Sequence, residues 1–281
     1  MSRARDIQRV DLAARGARSF VRHGDRVGPV VLLLHAWGES LRSFDRLVPL
    51  LPPSFDVVAF DQRGHGSSDR PDDGYDVESL AADVTAFLDA LGVGQAVMVG
   101  SSSGGYVAQQ VAVRAPERVS GLVLIGSPHS LLGRTPFTDE VERLVDPVDP
   151  EWVRAFIGSF ALAGEVPDWY LADRVEESAR IPAGVWKRSL AGLVTSPPPI
   201  ETGLISAPTL IIWGDHDDLL PRAGQLYLAG RIPGATFREY EGVGHLVLWE
   251  QPERVAADLA SFVLAGIAAA STDLRGLGGP R

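Results

Sequence analysis

Four groups of residues have the types and spacing to do chemistry together. Ser102 lies within Gly100-Ser101-Ser102-Ser103-Gly104, and of the three consecutive serines only it has glycine at both −2 and +2. The short apolar run Val97-Met98-Val99 precedes it and a helix-period segment follows, the pattern of a strand, a sharp turn carrying a nucleophile and a helix. Alone, such a pentad is a weak signal. A serine hydroxyl is a poor nucleophile near neutral pH, so it requires a base, and the base requires a group that orients it. His245, in Gly242-Val243-Gly244-His245, fits the base: it follows an expected last strand, and glycines let that loop bend the imidazole over the strand ends. His216 sits within an acidic turn, a poorer position from which to reach a serine. The orienting acid is Asp215, Asp217 or Asp218, which spacing alone does not separate. The charge that develops on a carbonyl oxygen needs preorganised donors. The backbone N–H groups of Ser103, just after the nucleophile, and of Trp37, in the loop His35-Ala36-Trp37-Gly38, are the natural pair.

The elements that must position these groups read as alternating strands and helices. Residues 7–12 and 18–23, around Gly16, suggest an opening hairpin. Continuous apolar runs at 30–34, 57–60, 96–99, 121–125 and 208–213 have the character of strands buried on both faces, and 236–240 reads as a last strand. Helical spacing occupies 40–51, 76–91, 106–115 and 252–265. This alternation implies a mostly parallel central sheet flanked by helices. It is interrupted over 130–205, a stretch of helices and turns rich in aromatic residues. Accordingly 1–129 and 206–265 are expected to form the core, 130–205 a helical lid, and 266–281 a flexible C-terminal tail. His129, Trp152, Phe156 and Trp186 are candidates to border a pocket beneath that lid. The loop Asp61-Gln62-Arg63-Gly64-His65-Gly66-Ser67-Ser68 reads as structural, with Arg63 satisfying carbonyls and His65 solvated.

Composition sets the bounds. A chain of 281 residues accommodates one large α/β domain with an insertion. A formal net charge of −10, with no basic stripe, argues against a nucleic-acid partner. The absence of cysteine removes disulfides, thiolate catalysis and cysteine-held metals. No metal site and no cofactor is expected. The first ten residues lack the apolar core of a signal peptide and no run reaches membrane-spanning length, so a cytoplasmic protein with no membrane partner is expected.

Together these residues resemble the α/β-hydrolase fold superfamily, in particular its small bacterial cofactor-free esterases and lactonases. The resemblance runs from about residue 28 to 264 and rests on five motifs in order: His35-x-Trp37-Gly38, Asp61-x-Arg63-Gly64-x-Gly66-x-Ser68, Gly100-x-Ser102-x-Gly104, Gly214-x-x-Asp217-x-x-x-Pro221 and Gly244-His245. It departs from the usual pattern in carrying Ala36, where glycine commonly follows the first histidine. The resemblance implies Asp217 as the acid, with Asp215 as the fallback. It also implies a Ser102-His245-Asp217 triad, an oxyanion hole from Trp37 and Ser103, and a lid over the serine. The implied activity is hydrolysis of a carboxylic ester or lactone with an apolar portion, through an acyl-enzyme. Serine at 102 argues against epoxide hydrolases and haloalkane dehalogenases, which place an aspartate there. A carbon–carbon bond hydrolase, a perhydrolase of haloperoxidase type, or a slow-turnover ligand receptor on the same scaffold are the alternatives.

Overall fold

The computed structural model describes residues 6–24, 26–160 and 162–276. The opening hairpin forms from β1 (Gln8–Asp11) and β2 (Ala17–His23), paired antiparallel. The apolar runs become β3 (Val30–Leu34), β4 (Asp56–Phe60), β5 (Ala96–Ser101), β6 (Val119–Ile125) and β7 (Thr209–Gly214), and β8 (Thr236–Tyr240) ends the series. Among the described residues these make one eight-stranded sheet in the order β1-β2-β4-β3-β5-β6-β7-β8. Pairing is parallel throughout from β4 to β8, while β2 joins β4 antiparallel.

The continuous apolar character of these strands follows from two buried faces. Leu32, Leu34, Met98, Leu122, Leu124 and Ile211 point to one core, shared with α1 (Val77–Ala90) and α2 (Ser103–Arg114). Their neighbours Val31, Leu33, Val99, Val123 and Ile212 point to the other. Strand residues alternate sides, so a strand covered on both faces has no polar position to spare. α1 begins where Asp76 accepts the Ser79 N–H at 2.8 Å, a cap worth about 1 kcal/mol.

Between β6 and β7 lie α3 (Thr138–Glu142), α4 (Pro150–Gly158), α5 (Asp168–Ala179), α6 (Ala183–Thr195) and α7 (Pro199–Thr202), and no strand is described there. The chain then adds α8 (Arg222–Arg231), α9 (Val247–Glu250) and α10 (Pro252–Gly276). Among the described residues, no helix is long and apolar enough to cross a membrane.

Two expectations change. Residues 40–51 form two short 3-10 turns, Leu41–Phe44 and Val48–Leu50, instead of one helix. Pro49 has no N–H to donate and its ring would crowd the carbonyl four residues earlier, so an α-helix cannot run through it. The apolar face survives: Leu41, Phe44 and Leu47 are buried in the core. The closing helix does not stop at residue 265 but continues to Gly276, Gly266 being one weak link in a run rich in alanine. The last part of the expected tail, 277–281, lies outside the described residues.

Candidate active site

The C-terminal ends of β5, β7 and β8 and the loop after β3 converge on Ser102. It stands between β5 and α2 with φ +47° and ψ −121°, a conformation that costs a residue with a side chain about 1–3 kcal/mol. The surrounding chain holds it there. The Ser102 N–H donates to the Ile125 carbonyl and the Ser102 carbonyl accepts from Gly105 N–H, both at 2.9 Å. The flanking glycines are required by close approach. A Cβ on Gly100 would lie 2.3 Å from Gly105 Cα, and one on Gly104 would lie 2.3 Å from the Leu34 carbonyl oxygen.

His245 reaches Ser102 from the loop after β8, with Nε2 3.2 Å from Ser102 Oγ. Its Nδ1 lies 2.8 Å from Asp217 Oδ2, which decides among the three aspartates. The other Asp217 oxygen accepts the N–H groups of Leu219 and Leu220, so the carboxylate is aimed and is only 5 % exposed. Asp218 and His216 face solvent. Asp215 takes a different part, its Oδ1 accepting the Gly242 N–H at 2.7 Å and so shaping the loop that carries His245. Glu250, which sequence reasoning did not single out, holds the same loop from the other side. Its carboxylate accepts the Gly244 N–H, and it also accepts Ala163 and Gly164 N–H from the segment between α4 and α5. Nothing local to Trp249-Glu250-Gln251 announces that contact.

The loop after β3 is built on two buried histidines. His35 donates from Nδ1 to the Ala36 carbonyl and accepts the Gln62 N–H at Nε2. His65 donates from Nδ1 to the Arg63 carbonyl and accepts the Gly38 N–H at Nε2, 3.3 Å away. Each pattern needs a neutral ring with one N–H, and burial lowers His35 to about 3 and His65 to about 4. His65 is therefore not the solvated loop histidine expected; it is 5 % exposed and supports the backbone beside Trp37. The rest of its loop is structural as expected. Arg63 donates to both Asp83 oxygens and to the Asp73 carbonyl, while Asp61 accepts from Leu41 and Ser67 N–H groups. Burial pushes Asp61 up to about 6 despite those bonds. Ala36 is tolerated because its φ stays outside the left-handed region; Gly38 takes φ +77° instead, and a Cβ there would strike the Trp186 ring.

Trp37 and Ser103, expected to present a pair of backbone N–H groups, are joined instead through a side chain. The Trp37 N–H points at the Ser103 Oγ, 2.7 Å away. The Trp37 indole donates to Ser189 Oγ on α6 and packs edge-on against Phe156 and Trp186.

Ser102 and His245 form the floor of a cavity that helices α4 and α6 and the segment before α3 roof over, with Phe137, Phe156, Phe160, Leu190 and Leu193 among its lining. Phe156 thus faces the cavity, as expected of it. Trp152 and Trp186 instead pack behind it, around Phe156. His129 lies outside the cavity, its ring against Tyr227 of α8. Glu39 is a further lining residue the sequence did not reveal, and burial raises its carboxyl above the usual range. An apolar chamber over a serine, an imidazole and a buried carboxylate has the parts for acyl transfer from a substrate with an apolar portion.

Residues 29–172 and 165–252 match the sequence pattern of the alpha/beta hydrolase fold. The chain belongs to this family. Its similarity to a non-heme chloroperoxidase of Streptomyces lividans is 30% identity over 259 residues, covering 85% of this chain and 93% of the relative. It is 29% identical over 279 residues to 2-hydroxymuconate semialdehyde hydrolase of Pseudomonas sp. (strain CF600), covering 92% of this chain and 95% of that one. Among solved structures, a hydrolase from Pseudomonas aeruginosa PA01 superposes with a TM-score of 0.80 at 26% identity, over 93% of this chain and 99% of that one. Membership in the α/β hydrolases makes the chain a hydrolase by family, and the sheet order and helical insertion described above are the form that fold takes here.

Proposed function

We propose that this hydrolase cleaves a carboxylic ester or lactone with an apolar portion through an acyl-enzyme on Ser102. The observation that carries the reading is the continuous chain from Ser102 Oγ to His245 Nε2 and from His245 Nδ1 to Asp217, opening into an apolar cavity. Ser102 Oγ attacks the carbonyl carbon as its proton passes to His245 Nε2. Asp217 fixes the imidazole tautomer and stabilises the imidazolium. The carbonyl oxygen, now negative, is received at the N terminus of α2 beside the Ser103 N–H. Collapse breaks the carbon–oxygen bond, and the leaving alkoxide takes the proton from His245. Water then enters, gives a proton to His245 and attacks the acyl carbon; the bond to Ser102 Oγ breaks, the acid leaves and His245 returns the proton to Ser102.

The test is hydrolysis of p-nitrophenyl esters from acetate to octanoate by wild type and Ser102→Ala. The expected result is turnover lost in the variant and a preference beyond acetate, set by the aromatic lining. Turnover that survives in Ser102→Ala would remove the nucleophile assignment. The likeness to a semialdehyde hydrolase and a chloroperoxidase favours one further comparison. A carbon–carbon bond hydrolase would cleave a meta-cleavage diketone faster than any ester, and a perhydrolase would support bromination with peroxide and acetate.

A further inference from the structure

We infer that the Ser103 hydroxyl is itself a donor to the oxyanion, so that Trp37 acts through it rather than directly. The inference rests on the serine-hydrolase reading above and concerns a side chain that reading leaves unused. The expected arrangement is a pair of backbone N–H groups, from Trp37 and Ser103, both free to meet a carbonyl oxygen. In the structure the first is already engaged: the Trp37 N–H donates to Ser103 Oγ at 2.7 Å. A hydroxyl has one proton to give and lone pairs to receive. With a lone pair committed to Trp37, the Ser103 proton is left to donate elsewhere. Among the described residues no protein acceptor takes it, and Ser103 lines the catalytic cavity beside Ser102.

The Trp37 N–H polarises the hydroxyl it binds, strengthening the bond that the hydroxyl in turn donates. Position supports the same role. Ser103 is the first residue of α2, so its backbone N–H is one of the unpaired donors of that helix terminus and its side chain stands next to it. One residue then presents two donors to the oxyanion, with Trp37 behind the second. The loop beneath Trp37 is held by neutral His65, so the supporting N–H does not drift.

The test is the second-order rate at which a fluorophosphonate labels Ser102, which needs no knowledge of the natural ester. Attack forms the Oγ–P bond, fluoride leaves with the P–F electrons, the serine proton passes to His245, and the phosphonyl oxygen occupies the oxyanion position. Loss of a single oxyanion donor typically costs about a hundredfold or more, and the Trp37 N–H freed by Ser103→Ala recovers part of that. Labelling should therefore slow by about tenfold or more in Ser103→Ala. It should also slow in Ser103→Cys, which keeps the volume but donates poorly, and recover most of its rate in Ser103→Thr. Melting temperatures read alongside separate this from a structural role, which would move stability in Ser103→Ala without changing the rate per folded site. A rate unchanged or faster in Ser103→Ala and Ser103→Cys would overturn the inference while leaving the nucleophile in place. Absence of labelling in the wild type would overturn the serine-hydrolase reading and this inference with it.

Discussion

The two sides of Ser102 are built from different materials. On the base side, carboxylates organise the backbone: Asp217 gathers Leu219 and Leu220 N–H groups, Asp215 gathers Gly242, and Glu250 gathers Gly244. On the side proposed to hold the oxyanion, two neutral imidazoles share that work with one carboxylate: His35 accepts from Gln62 and His65 from Gly38, while Asp61 accepts from Leu41 and Ser67. The difference suits what each side must hold. In the proposed mechanism an imidazolium forms on the base side, and fixed negative charge beside it lowers its energy. In the same mechanism negative charge forms on the other side, where the Gly38 N–H next to Trp37 rests on a neutral ring that does not oppose it.

The largest effect that sharpens this contrast comes from the acid itself. Asp217→Asn should lower kcat on the order of ten-thousandfold with little change in KM, because an amide can hold the wrong tautomer and cannot stabilise the imidazolium. Asp215→Ala should cost stability by about 1 kcal/mol, since it leaves the half-buried Gly242 N–H without its carboxylate partner, yet keep kcat within about tenfold. A loss of kcat in Asp215→Ala as deep as in Asp217→Asn would erase the distinction between the acid that acts and the acid that shapes. Steady-state kinetics with denaturant titration reads both.

A smaller effect probes the opposite side. Burial depresses His65 to about 4, so its contribution to stability is full above its unfolded value near 6.5 and is lost as pH falls through about 4. In His65→Gln the amide oxygen still accepts from Gly38 but takes up no proton. The stability advantage of wild type over this variant should therefore be greatest near pH 7 and shrink steadily toward pH 4, as read by unfolding free energies. Asp61 and Glu39, both raised by burial, act in the opposite sense but are common to both proteins and cancel in the difference. A gap independent of pH would mean that His65 is not held neutral. The smallest effect is a control remote from either side: Asp76→Ala should cost about 1 kcal/mol of stability through the lost cap of α1, with kcat unchanged.

What could be read in the sequence was whatever a short stretch of backbone enforces. The Ser102 turn needs glycines at 100 and 104 for clearance, and buried strands need unbroken apolar runs, so both leave local marks. Choosing Asp217 over Asp215 was beyond spacing, because the two differ only in where the turn after β7 aims them. The burial of His65 depends on the Asp61–Ser68 loop packing under Trp37 and Gly38, contacts across more than twenty residues of sequence. Glu250 is further still from legibility, since its partners Ala163 and Gly164 lie in the insertion. The bond from Trp37 to Ser103 joins the loop after β3 to the first residue of α2, which the sequence placed near one another without showing that a side chain would stand between them.

The most direct measurement is the site of covalent modification. Three adjacent serines stand at the same turn, and it is the middle one that meets His245. Wild-type protein treated with a fluorophosphonate should be digested and its adduct located by peptide mass spectrometry, with Ser102→Ala and Asp217→Asn treated in parallel. A single adduct on Ser102 is expected in wild type, none in Ser102→Ala, and much slower labelling in Asp217→Asn. An adduct on Ser101 or Ser103, or labelling that persists in Ser102→Ala, would contradict Ser102 as the nucleophile.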